Sequence, residues 1–192
     1  MTKQSFYKRT GSQSQMKYWL SGLLLSAVLS PPAVAHLMVA QHGTLNIVGD
    51  GVFMVLSLPI SAFTGVDDDG DGKLSTVEFT QHRLAIVAAV NKQVQLLDKE
   101  GARPLEDMLL SPVESHDDAQ APTDQLVVMG RFALAKPDSE LSFHIGLFVK
   151  KTEEQSFTVN YHRPPSLQKQ QIVLTLEQPE GRLLPNKADN VD

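Results

Sequence analysis

The chain has 192 residues, 42% of them hydrophobic, with 17 Lys and Arg against 22 Asp and Glu and no cysteine. That length and apolar content suit one domain of ordinary size, and the lack of cysteine excludes disulfides, thiolate catalysis and thiolate metal sites together. A formal charge of −5 argues against nucleic-acid binding, which asks for a basic face.

The amino terminus reads as an export signal. Lys3, Lys8, Arg9 and Lys17 precede an apolar run from about Trp19 to Leu29, then Ser30-Pro31-Pro32 and Ala33-Val34-Ala35. A positive segment, a short apolar core and a small-x-small site make a signal peptide over 1–35. The apolar core is shorter than the about 20 residues that span a bilayer. An uncleaved membrane anchor is the alternative. Cleavage after Ala35 removes four of the 17 basic residues and none of the 22 acidic ones, leaving 157 residues at a formal charge of −9 and no stable membrane span. The expected location is periplasmic or secreted.

The body, 36–182, opens with two strands. Thr44 to Val48 and Val52 to Leu58 are rich in β-branched and apolar residues, and Gly49-Asp50-Gly51 between them is a hairpin signal. Pro59 and Gly65 then leave room for little more than one helical turn around Ser61 to Thr64.

Asp67 to Glu78, read DDDGDGKLSTVE, carries the chemistry. Calcium wants six to eight oxygen ligands, and a twelve-residue loop supplies them from positions 1, 3, 5, 7, 9 and 12. Those positions hold Asp67, Asp69, Asp71, Lys73 through its backbone carbonyl, Ser75 through a water, and Glu78 with both carboxylate oxygens. Gly72 stands at position 6, where the chain needs a positive φ, and apolar Leu74 at position 8 faces inward. Asp68 is not at a ligand position and adds negative charge. Spacing this complete resembles the EF-hand calcium-binding family, in its exported, single-hand form. The resemblance implies bound Ca2+ as the cofactor and partner of the loop. The helix entering the hand is short for that family, which sets large calcium-driven opening in doubt. Asp98 to Gly101 and Glu114 to Asp124 lack the spacing of a second loop, so the hand reads as solitary.

A helix from about Thr76 to Asn91 follows, capped by Ser75 or Thr76, with Phe79, Leu84, Ile86, Val87 and Val90 at helical intervals. Further strands are expected at Gln93 to Leu97, Met108 to Ser111, Gln125 to Ala135, Ser139 to Lys150, Gln155 to Tyr161 and Gln171 to Gln178. Leu141, Phe143, Ile145, Leu147 and Val149 share one face, as do Phe157, Val159 and Tyr161, and Ile172, Leu174 and Leu176 form the last inward set. Seven or eight short strands with turn signals predict a mainly β (α+β) fold, an antiparallel Ig-like β-sandwich with the hand and its helix inserted at about 60–92. Ser111 to Asp124 reads as a loop and 183–192 as a disordered tail. Five carboxylates within the twelve residues repel one another without a cation, so removal of calcium is expected to loosen the insertion before the sandwich.

Cleavage after Ala35 would expose His36 as the first residue. Its α-amine and imidazole form a two-nitrogen chelate that suits copper or nickel, resembling the histidine brace of secreted copper proteins. His42, His144 or His162 could add the further imidazole. A hairpin centred on Glu153 would set His144 directly across from His162, and a one-residue shift would undo it. His82 and His116 read as surface residues. The stretch HLMVAQHGTLN from His36 is also similar to the start of exported bacterial EF-hand proteins, and implies relatives that accompany nickel permeases; no residue role follows from it.

No nucleophile elbow, phosphate-cradling loop, zinc-protease motif or assembled triad is legible, so no enzyme is expected. The function read from the sequence is calcium binding that stabilises a β-sandwich for binding or interaction, with a protein partner at the cell envelope. The alternative is a periplasmic copper- or nickel-handling protein using His36.

Overall fold

A computed structural model describes residues 40–113, 121–136, 139–149, 156–164 and 169–183, all within one unit, Met38–Asp192. The export signal, His36, His116, the hairpin centre at Glu153 and the tail beyond Leu183 lie outside the described residues. Among those described, no helix is long and apolar enough to cross a membrane.

The chain starts on the expected hairpin. β1 (His42–Val48) and β2 (Gly51–Pro59) pair antiparallel, closing with Val48 opposite Gly51. Gly49 takes φ +57 in the turn, a left-handed value that glycine reaches cheaply. Next come a single 3-10 turn (Ile60–Ala62), the acidic loop and helix α1 (Thr76–Gln93). The remaining strands are β3 (Val94–Asp98), β4 (Gly101–Arg103), β5 (Leu105–Pro112), β6 (Gln125–Ala133), β7 (Leu141–Ile145), β8 (Ser156–His162), β9 (Gln170–Thr175) and β10 (Glu180–Leu183).

They form two sheets, of order β5-β6-β2-β1-β8-β9 and β10-β7-β3-β4. One hydrophobic cluster draws on both, with Leu45, Met54 and Phe157 from the larger sheet and Leu96 and Phe143 from the smaller. Two sheets on one core, with a single α-helix among the described residues, are consistent with a β-sandwich. Each large side chain buried there contributes about 1.5–3 kcal/mol. Where β10 crosses β9 the sheets come close. A Cβ on Gly181 would lie 2.9 Å from Leu174 Cδ2 and 3.1 Å from Ile172 Cδ1, so glycine is required for the approach. Buried Arg163, just after β8, donates to the Leu183 carbonyl of β10 at 3.3 Å and ties the two sheets at one end.

The structure corrects four expectations. The pairing is not wholly antiparallel, because β1 and β8 run parallel with His42 opposite Thr158. β4 and β10 were missed: they are only three and four residues long and carry glycine and charges rather than an apolar run. Leu84 is 84% exposed, because it stands about 200° round the helix from Ile86, off the stripe of Phe79, Ile86 and Val90. Leu176 is exposed as well. β9 ends at Thr175, whose N–H and carbonyl bond to Gln178 in a tight turn.

Topology decides where the acidic loop stands. β2 lies in the six-stranded sheet and β3 in the four-stranded one, so the loop and α1 form the crossover between sheets. Ile86 and Val90 bury the helix against the shared core.

Candidate metal centre

Both ends of the loop are anchored in the core. Ala62, Phe63 and Val66 are buried on the way in and Leu74 on the way out. The entry is also held by the Ile60 amide, which donates to the Asp124 carbonyl at 2.9 Å.

Between these anchors the backbone wraps around its own carboxylates. Gly70 N–H donates to Asp67 Oδ1 at 2.7 Å and Gly72 N–H to Asp67 Oδ2 at 2.9 Å. Asp71 N–H reaches Asp69 Oδ1 at 3.2 Å, and Lys73 N–H reaches Asp71 Oδ1 at 2.7 Å. Such turns need left-handed backbone, supplied by Gly70 at φ +76 and Gly72 at φ +82. One carboxylate oxygen from each of Asp67, Asp69 and Asp71 lies within 4.8 Å of the others. Like charges that close repel, and the inward amides offset part of the cost. The donor set is hard oxygen throughout, which suits calcium, magnesium or manganese rather than copper or zinc.

Glu78 stands apart from that cluster of three. It is only 7% exposed and closes the loop from the helix side. Its Oε1 accepts the Asp68 amide at 2.8 Å, and its Oε2 accepts the Ser75 amide at 2.8 Å and the Ser75 hydroxyl at 2.7 Å. In return the Glu78 amide donates to Ser75 Oγ at 3.3 Å, a reciprocal capping box at the start of α1. The Ser75 amide, the Ser75 hydroxyl and the Asp68 amide hold the Glu78 carboxyl at about 2, well below its ordinary value of 4.5. Its negative charge also stands at the positive end of the helix.

The loop residues therefore take three parts. Asp67, Asp69 and Asp71 converge; Ser75 and Glu78 join the loop to the helix; the Lys73 amide orients Asp71. Two contacts had escaped sequence reasoning. His82 Nε2 lies 2.9 Å from both oxygens of Asp68, so the non-ligand acid of the loop leans on the second turn of the helix. Leu74 pairs with Thr123 in an isolated antiparallel bridge. Neither spacing follows a helical or strand period, so no local signal could have found them.

The described histidines do not converge. His144 on β7 stands opposite Gln95 and Glu180 in the four-stranded sheet, and His162 on β8 stands opposite Asn46 in the other. The expected cross-strand histidine pair is therefore absent, because β7 and β8 belong to different sheets. His42 is the partner of Ser57 and Thr158, with Nδ1 3.1 Å from the Ala40 carbonyl.

No protein-family model and no curated protein matches the chain.

Proposed function

We propose that this is an exported calcium-binding protein in which one EF-hand site braces a β-sandwich, Ig-like in plan, that presents a binding or interaction surface to a protein at the cell envelope. The observation that carries the reading is the inward turn of Asp67, Asp69 and Asp71 within a loop closed by Glu78. In the loaded site Asp67, Asp69, Asp71 and Glu78 would supply carboxylate oxygens, Lys73 its carbonyl, and Ser75 a water-bridged position. Calcium there would neutralise the carboxylates and lock the crossover between the sheets. The Ig-like plan is favoured by a single core shared by two sheets whose strands cross repeatedly from one to the other. Export is carried by the sequence of the first 35 residues.

Calorimetric titration of the protein with calcium tests this. One site in the wild type, lost in Glu78→Gln, is the expected outcome. Absence of calcium binding at millimolar concentration, or equal binding by Glu78→Gln, would overturn it.

A further inference from the structure

We propose that the four-stranded sheet holds, at the end where Arg182 and Glu180 stand, a small zwitterion with an apolar side chain, gripped by those two charges beside Leu97. A cavity of about 380 Å³ opens where β3 ends, β7 begins and β10 ends. That volume stands near the lower end of the about 300–1,000 Å³ usual for small-molecule sites. Half-buried Leu97 gives it an apolar wall, while Leu141 and Leu183, which also border it, belong to the core and are only 3% and 1% exposed.

Its charges are what select the ligand. Two cations, Lys99 and Arg182, and two carboxylates, Glu140 and Glu180, border the cavity. Asp98 also lines it but is committed elsewhere, bonded to Arg103 at 2.5 Å and to the Glu100 amide at 2.8 Å. The four remaining charges cancel, so the site disfavours a net anion or a net cation and suits a molecule carrying one of each. Lys99 and Glu140 meet only at 3.7 Å, both well exposed, a contact worth little.

Arg182 and Glu180 form no ion pair among the described residues. They are two residues apart on one face of β10, roughly 7 Å between Cα atoms. The guanidinium fork takes a carboxylate through two parallel hydrogen bonds, and the Glu180 carboxylate accepts an ammonium. Ser142 stands opposite Arg182 in register, beside Leu97 on the next strand, and adds a hydroxyl between charge and apolar wall. An apolar amino acid and a short apolar peptide share this chemistry.

Calorimetry on the calcium-saturated protein, with L-leucine and leucyl-leucine as probes, separates the two sources. One of them should bind at a single site. N-acetyl-leucine and leucinamide, each lacking one charge, should bind about tenfold more weakly, as should Arg182→Ala and Glu180→Gln, for loss of a charge-assisted bond. Thermal melts of both variants without probe check that they fold. The proposal is overturned if neither probe saturates by about 10 mM, if the blocked analogues bind as tightly as their parent, or if Arg182→Ala leaves binding unchanged. Arg182→Ala and Glu180→Gln should bind calcium as the wild type does, which separates the fate of this site from that of the calcium site.

Discussion

Leu74 and Thr123 exchange two backbone hydrogen bonds: Leu74 N–H donates to the Thr123 carbonyl at 2.7 Å, and Thr123 N–H returns to Leu74 at 3.1 Å. They lie 49 positions apart in the chain, yet this rung joins the exit of the acidic loop to the approach to β6. One residue further on, the Asp124 carbonyl receives the Ile60 amide from the loop's entry. The start of β6 thus clasps the loop at both ends, and the loop is a braced part of the domain rather than a free excursion.

Removing one half of the rung should be felt in both places. Thr123→Pro deletes the N–H that reaches Leu74, and a lost buried bond of this kind costs about 1–3 kcal/mol. Urea unfolding should show the loss, and calcium titration of the same variant should show weaker binding. An unchanged midpoint would mean that the rung holds nothing.

Without calcium, the repelling carboxylates should open the crossover first. Limited proteolysis with chelator present should cut between Thr64 and Leu84, and near Thr123 soon after, while β1, β2 and β8 stay protected. A cleavage pattern identical with and without chelator would count against coupling between metal and crossover.

Ser75 and Glu78 should separate capping from metal binding. Ser75→Ala removes the hydroxyl that caps α1 and should cost about 1 kcal/mol, with or without calcium. Glu78→Gln keeps an oxygen to accept the Ser75 amide but gives up the charge and the acceptor of the Asp68 amide, so it too should cost stability without calcium. What it should also lose is the stabilisation by calcium, about 2.7 kcal/mol at one hundred times Kd. Melting temperatures of the three proteins, each with calcium and with chelator, give the comparison; a calcium-dependent rise retained in Glu78→Gln would refute it.

Asp98 sets a different dependence, on pH. Burial pushes its carboxyl up, but the Arg103 hydrogen bond, the Glu100 amide and the Arg103 charge outweigh this and leave it below the ordinary 3.8. A folded value below the unfolded one gives stability that is fully present above the unfolded value and lost as pH falls through the folded one. The stability gap between wild type and Asp98→Asn should therefore be widest near neutral pH and narrow below about pH 4. A gap that stays constant down to acid would show that the Arg103 pair contributes nothing.

Much of the local structure was legible because its causes are local. The β1–β2 hairpin follows from Gly49-Asp50 between two apolar runs, and α1 from Ser75 and Glu78 three residues apart before an apolar stripe. Alternation placed Leu141, Phe143 and Ile145 in the core correctly. The same reasoning failed where a strand owes its existence to a neighbour. β10 has four residues, two of them charged, and is a strand because Gly181 lets it lie close over β9 while β7 pairs beside it. His144 and His162 looked like cross-strand partners because alternation tells which face a residue takes, not which sheet its strand joins.

The sequence by itself determined the twelve-residue acidic loop, the capped helix after it and the inward face of most strands, since these depend on spacing, φ preference and hydrogen bonds within a few residues. Only the tertiary structure decided that the loop bridges two sheets, that Thr123 holds its exit, that β1 and β8 run parallel, and that Glu180 and Arg182 border a cavity. Those are pairings between distant segments, chosen by the burial of one shared core, and no local period encodes which strand lies beside which.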